Sequence, residues 1–152
     1  MEEPFLNLLF PISLNGFNMP HVVSCVLQHD KKILLLKRSQ NVSTYRGYWG
    51  VVAGYVEEDE QPLETAFKEI REEVGLSQTD IQLIKQGDVV STTDVHIGKK
   101  YNWDIHPFVF RLLAPEKIHI DWEHDEYKWI TPKEISMYTT TPCLEYIVKT
   151  LL

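Results

Sequence analysis

The sequence predicts an α/β fold, a mixed β-sheet covered by helices on both faces. Three observations predict it: strand-like runs stand before and after one long amphipathic helix, a second amphipathic helix follows near the end, and repeats or linker-like stretches are lacking. A chain of 152 residues, 43% hydrophobic and 24% charged, suits one domain with a sizeable core. Residues 1–152 are therefore expected to form a single domain.

Residues 1–20, MEEPFLNLLFPISLNGFNMP, are apolar but open on two glutamates, carry Pro4, Pro11 and Pro20, and have no basic start. Neither a signal peptide nor a membrane span fits. They read as an ordered extension packed on the domain, with a subunit contact, and hence a homodimer, as the other reading. His21 to Gln28 reads as a strand, His29 to Lys32 as a turn, and Ile33 to Lys37 as the second strand of a hairpin. Ser39 to Gly47 is a polar loop. Tyr48 to Val56 is apolar and aromatic, and strand-like up to Gly54.

A helix then starts at Pro62, whose missing donor suits a first turn, and stops at Gly75, which suits the left-handed residue past the end. Leu63, Ala66, Phe67, Ile70 and Val74 form its apolar stripe. Ile81 to Val90 and Tyr101 to Leu113 alternate like strands, with Pro107 expected at an edge or a bulge. The stretch between them, STTDVHIGKK (91–100), reads as a polar loop. Glu126 to Ile130 is a short strand, Thr131-Pro132 starts a helical turn, and Pro142 opens a final amphipathic helix with Leu144, Ile147, Val148 and Leu151 on one side.

The net charge is −7, and residues 57–73 account for nearly all of it with eight acidic and two basic side chains. So local a charge points to a cation site, and it argues against nucleic-acid binding, which usually shows a basic patch. Glu69, Glu72 and Glu73 stand at i, i+3 and i+4 and crowd one flank of the helix, with Lys68 and Arg71 relieving the repulsion only in part. Hard divalent cations, which prefer oxygen ligands, would make sense of such crowding. Cys25 and Cys143 stand far apart without a paired motif, which reads as buried reduced thiols and a cytoplasmic protein.

Gly54 to Leu76, GYVEEDEQPLETAFKEIREEVGL, resembles the Nudix box: glycine, five residues, Glu, seven residues, then Arg-Glu-apolar-any-Glu-Glu-any-Gly-apolar. Lys68 stands where that family has Arg. With common residues near 7% each, six fixed positions match by accident at about 10⁻⁷ per start. The resemblance implies the α/β/α sandwich of Nudix domains over essentially the whole chain. It also implies hydrolysis of a nucleoside diphosphate linked to another group, by water attack on phosphorus with divalent metals. Physics agrees, since a polyphosphate and an acidic cluster repel each other unless cations stand between them.

Carried over by position, the resemblance makes Glu69, Glu72 and Glu73 metal ligands, assisted by the Gly54 carbonyl, for Mg²⁺ with Mn²⁺ as a substitute. Glu60 would brace the loop against the helix. A lysine ammonium cannot reproduce the planar fork of Arg, so Lys68 implies a working but differently braced site. Residues 120–130, IDWEHDEYKWI, are similar to the Glu-His-any-any-Tyr-any-Trp stretch of bacterial dihydroneopterin triphosphate pyrophosphatases. Glu123 would thus be a further metal ligand or the general base, whereas His124 is expected to bond nearby backbone.

Arg38 and Arg46 are candidates for phosphates, as are Lys99 and Lys100. Trp49 and Tyr101, together with Tyr48 and Trp103, could stack on a base or pterin ring. The expected activity is Mg²⁺-dependent pyrophosphohydrolysis of a small-molecule nucleoside or pterin triphosphate. The alternatives are a non-catalytic Nudix nucleotide-binding or regulatory domain, and a hydrolase of ADP-ribose or dinucleoside polyphosphates. An isomerase on the same fold would need a cysteine by the box, which is lacking, and RNA decapping would need more basic surface.

Overall fold

Alternation along the strands sorts the apolar side chains into two cores, one on each face of a sheet. The computed structural model describes residues 19–152. Its strands are β1 (His21–His29), β2 (Lys32–Arg38), β3 (Trp49–Gly50), β4 (Val52–Tyr55), β5 (Ile81–Gln86), β6 (Val90–His96), β7 (Lys99–Leu112) and β8 (His124–Ile130). The helices are α1 (Pro62–Val74) and α2 (Leu144–Leu151). The main path of the sheet is β3-β2-β1-β7-β5, with β4 also paired to β1, β6 to β7 and β8 to β2. β1 and β7 run parallel and the other strand pairs antiparallel. The sheet is mixed, as the sequence predicts.

Val23, Cys25 and Leu27 of β1 join Phe108, Phe110 and Leu112 of β7 beneath Ala66, Ile70 and Val74 of α1. Their neighbours Val22 and Val26 face the other way, with Trp103, Ile105 and Val109, onto Leu144, Ile147 and Val148 of α2. One pleat thus feeds both helices. Burying an Ile or Val side chain contributes roughly 1.5–3 kcal/mol, so these stripes hold α1 and α2 to the sheet. Gly75 takes the left-handed conformation (φ 75°) and returns its N–H to Arg71 O at 3.0 Å, ending α1 where the sequence predicts.

Four expectations need correction or refinement. Residues 91–100 are no loop: β6 and the start of β7 form a hairpin pairing His96 with Lys99 across Ile97 and Gly98, both at positive φ (49° and 74°). Such a two-residue turn matches the twist of its strands. The polar Thr- and Ser-rich strand was hidden because only one of its faces packs against protein, and weakly. Pro107 lies inside the fourteen-residue β7 and not at an edge, where its second neighbour changes from β5 to β6. Gly87 N–H reaches the Pro107 carbonyl there at 2.9 Å, so the missing proline donor faces the gap between the two partners. The apolar run 48–56 divides into two strands at Val51. Cys25 is buried but Cys143 only half-buried, at φ 67° before α2.

The expected extension over residues 1–20 lies outside the described residues except for Met19 and Pro20, whose carbonyl accepts from Asp104 N–H at 2.9 Å. Among the described residues no helix is long and apolar enough to cross a membrane.

Candidate functional site

The stripe that seats α1 also decides what becomes of its acids. Ala66, Ile70 and Val74 lie at four-residue steps against the sheet, so Glu69 and Glu73, one position before the last two, are carried inward with them. Glu69 is 8% exposed and Glu73 2%, whereas Glu72 stays exposed on the rim. Glu69 rests on β4 at Gly54, where a Cβ would overlap its carboxylate. That close approach is what the glycine permits. Glu60 accepts from Lys68 Nζ at 2.7 Å, from the Glu57 amide at 3.1 Å and from the Thr65 hydroxyl at 2.9 Å. Partial burial pushes the Glu60 carboxyl up, but these donors together outweigh it and hold the group below its ordinary value. Lys68 is thus the brace of Glu60, tying the loop before α1 to the helix.

A second acidic strip comes from the start of β8. The pairing of β2 with β8 shifts register between Lys37 and Arg38, which sets His124 opposite Arg38. Bulges of this kind re-aim side chains. Glu123 and His124 are both buried, each 8% exposed. Asp121 Oδ1 lies 3.0 Å from His124 Nδ1 and accepts from the Glu123 amide at 3.2 Å. His124 Nε2 lies 3.8 Å from Glu73 Oε1, beyond hydrogen-bond length. His124 therefore bonds a carboxylate and not backbone, and Asp121 joins the site through it. Asp121 stood in the acidic segment of the sequence, but spacing alone could not tell it from Asp125 or Glu126.

Electrostatics follow from this crowding. Burial, then the neighbouring Glu72, pushes the Glu69 carboxyl from 4.5 up to about 8, against the pull of Lys68. Burial raises Glu73 as well, followed by Glu123, Glu69 and Asp121, with Arg38 opposing. Glu73 Oε2 is buried without a hydrogen-bond partner. An orphaned buried carboxylate oxygen is costly, and such oxygens in mutual range are what a hard divalent cation satisfies. Among the described residues no three Asp, Glu, His or Cys side chains already converge on one point, so holding an ion requires these carboxylates to turn toward it.

A cavity on the α2 face of the sheet reaches Glu73, Glu123, His124 and Arg38. Its other walls include Val22, Ser24, Tyr45, Trp103, Ile105 and Thr141. The enclosed volume is about 40 Å³, room for a few waters, so a base-sized ligand must widen it. Of the substrate candidates, Arg38 lines this cavity, with Nε and Nη2 donating to Thr44 O at 3.0 and 2.8 Å. Arg46, Trp49 and Tyr101 do not line it. Arg46 is exposed and donates to Val42 O at 2.6 Å. Trp49 packs edge-on to Tyr138 at 5.5 Å beneath Lys128, and Tyr101 stacks on Trp103 at 5.5 Å. Both are core aromatics first. Tyr45, which does line the cavity, sits in a loop whose sequence carries no periodic signal.

Carboxylates pressed against a glycine strand, with a further acid delivered from the start of β8, thus gather on one side of the sheet. The sequence matches the NUDIX domain family over residues 18–151, and the chain belongs to that family. It thereby falls among hydrolases acting on phosphorus-containing anhydrides. It is 30% identical over 125 residues to the CTP pyrophosphohydrolase of Escherichia coli strain K12, covering 82% of this chain and 84% of that one. It is 28% identical over 120 residues to the nucleoside triphosphatase NudI of the same strain, covering 77% and 85%. The structure of the Escherichia coli dihydroneopterin triphosphate pyrophosphohydrolase superposes with a TM-score of 0.68 at 21% identity, over 86% of this chain and 93% of that one. This last likeness is one of fold.

Proposed function

We propose that this Nudix hydrolase is a Mg²⁺-dependent pyrophosphohydrolase of nucleoside triphosphates, with residues 1–152 acting as one domain. The observation that carries the reading is the buried pair Glu69 and Glu73, raised in pKa and with Glu73 Oε2 left without a partner. Glu69, Glu72, Glu73 and Glu123, with the Gly54 carbonyl, would hold the ion. When bound, magnesium supplies a more acidic water and offsets charge on the leaving phosphate.

The chain's own residues do the positioning. Glu60 and Lys68 fix the entry to α1, and Gly54 lets Glu69 lie flat on β4. Asp121 orients His124, whose Nε2 lies 3.8 Å from the Glu73 carboxylate. The Arg38 guanidinium, in the cavity wall, opposes the acids that raise Glu73. A triphosphate substrate is supported by the relatives named for nucleoside triphosphates, at 28–30% identity over most of the chain. A pterin triphosphate rests only on the 123–129 pattern and a shared fold.

The test is a panel with Mg²⁺ of all nucleoside and deoxynucleoside triphosphates, dihydroneopterin triphosphate, ADP-ribose and dinucleoside polyphosphates. Pyrophosphate release from one or more triphosphates, lost in Glu73→Gln, is expected. Release only from ADP-ribose or dinucleoside polyphosphates would overturn the substrate class, and silence across the panel would favour a binding domain. The same reading puts the enzyme in a reducing cytoplasm, supported by the free thiols Cys25 and Cys143. A homodimer, the other reading of residues 1–20, would be tested by light scattering of the full chain against one starting at Met19.

A further inference from the structure

We propose that Asp94 and His96, on the hairpin formed by β6 and β7, are positioning residues that hold Tyr45 in the cavity wall and so govern how the substrate's base is gripped. The inference rests on the triphosphate reading above. It adds residues that neither the Nudix box nor the acidic strip contains.

Tyr45 is the anomaly that starts the argument. Its backbone stands at φ 51°, a conformation a bulky residue adopts only where its surroundings over-determine it. Its ring is 2% exposed although it belongs to a surface loop, and it lines the cavity that reaches Glu73 and Glu123. The hairpin supplies what holds it. The Tyr45 hydroxyl donates to Asp94 Oδ2 at 2.5 Å, and the Tyr45 amide donates to His96 Nε2 at 3.2 Å. The His96 ring stacks on the Tyr45 ring, centroids 4.1 Å apart at 22°. Tyr48 closes the group edge-on, 5.4 Å from Tyr45 and 5.5 Å from His96.

Both donors of Tyr45 are thus taken by two side chains two residues apart on β6, which strand geometry turns to one face. Because a backbone N–H can only donate, Nε2 of His96 is the acceptor in that bond. Asp94 pairs across the ladder with Tyr101, and Thr92 with the cavity-lining Trp103 on which Tyr101 stacks, so the hairpin adjoins the cavity's aromatic wall. Phosphates drawn to the carboxylates would leave a base within this wall, where aromatic and apolar side chains are the suitable surface.

The test measures kcat and KM for the best nucleoside triphosphate, together with the inhibition constant of inorganic tripolyphosphate, which has phosphates but no base. Asp94→Ala and His96→Ala are each expected to raise the nucleotide KM about tenfold, the loss of one charge-assisted hydrogen bond or of the stack. They should leave kcat within about twofold and tripolyphosphate inhibition unchanged. Asp94→Asn, which can still accept from the phenol, should recover most of the loss. Asp94→Ala combined with Tyr45→Phe should be no worse than the worse single variant, since Asp94 acts through the hydroxyl.

If nucleotide KM and tripolyphosphate inhibition move together, or neither moves, or the double variant is additive, the inference is overturned. A wild-type chain that cleaves no triphosphate would instead sink the hydrolase reading. Calorimetric affinities for a non-hydrolysable methylene nucleotide and for tripolyphosphate would then decide the clasp by the same ratios.

Discussion

Glu73 among the acids of α1 and Tyr45 within its clasp line one cavity, yet the two groups around them are built on opposite principles. In the clasp both donors of Tyr45 have an acceptor, hydroxyl to Asp94 and amide to His96, and its ring lies against a ring. Among the acids, like charges are packed together, raised in pKa by burial and by one another, with an oxygen of Glu73 left over. Satisfied polar groups rigidify a wall, whereas unsatisfied ones await a ligand. The site thus joins a finished half, which shapes, to an unfinished half, which binds.

The largest break in that contrast is Glu73→Gln. Activity should fall on the order of 10³-fold, a loss of about 4 kcal/mol of transition-state stabilisation. Stability should not fall with it. Melting in EDTA at pH 8 should match or exceed wild type, because the variant removes a buried like charge. A large loss of stability would mean that the Glu73 carboxylate holds the fold together. Next comes Gly54→Ala, whose new methyl must displace the Glu69 carboxylate. Here about a 10²-fold loss of kcat/KM is expected, with a destabilisation of about 1–3 kcal/mol in urea titration.

The raised acids also set a pH dependence. Glu69 ionises at about 8 in the folded chain against 4.5 otherwise, so between those values the folded state holds the extra proton. Stability from this group is therefore complete below about pH 4.5 and is lost as pH climbs through 8. Melting of the EDTA-treated protein should drop across that window, and Mg²⁺ should restore more of it at pH 8 than at pH 5.5. Equal Mg²⁺ stabilisation at both would count against an ion taking the proton's place. Smallest is the brace. The Lys68–Glu60 pair is part-exposed, so Lys68→Ala should cost about 0.5–1 kcal/mol. Lys68→Arg should change activity by only about twofold; no change in activity or melting would show that the brace accepts either cation.

The finished half was the harder one to read. Glu69, Glu72 and Glu73 announce themselves because charge spacing on a helix is local: Pro62, the apolar stripe and Gly75 set the register, and the register sets which acids crowd. Glu123 was legible through its neighbours in the 123–129 pattern. The hairpin was not, because Ser91 to His96 carries no apolar alternation and its turn, Ile97-Gly98, lacks the usual Asn-Gly or Asp-Gly signature. Only residue type marks Arg46, Trp49 and Tyr101 as candidates, and type does not say which aromatic ends in a core and which lines a cavity.

By itself the sequence determined the α/β class, the two amphipathic helices, the limits of α1 and the acids along its flank, since each depends on residues a few positions apart. Only the tertiary structure decided that Glu72 stays on the rim while Glu69 and Glu73 are buried. It alone brought Asp121 and His124 beside them, and turned Asp94 and His96 onto Tyr45 some fifty residues away in the chain. Those outcomes depend on which strand pairs with which and where the register slips, and pairing is a property of the whole sheet.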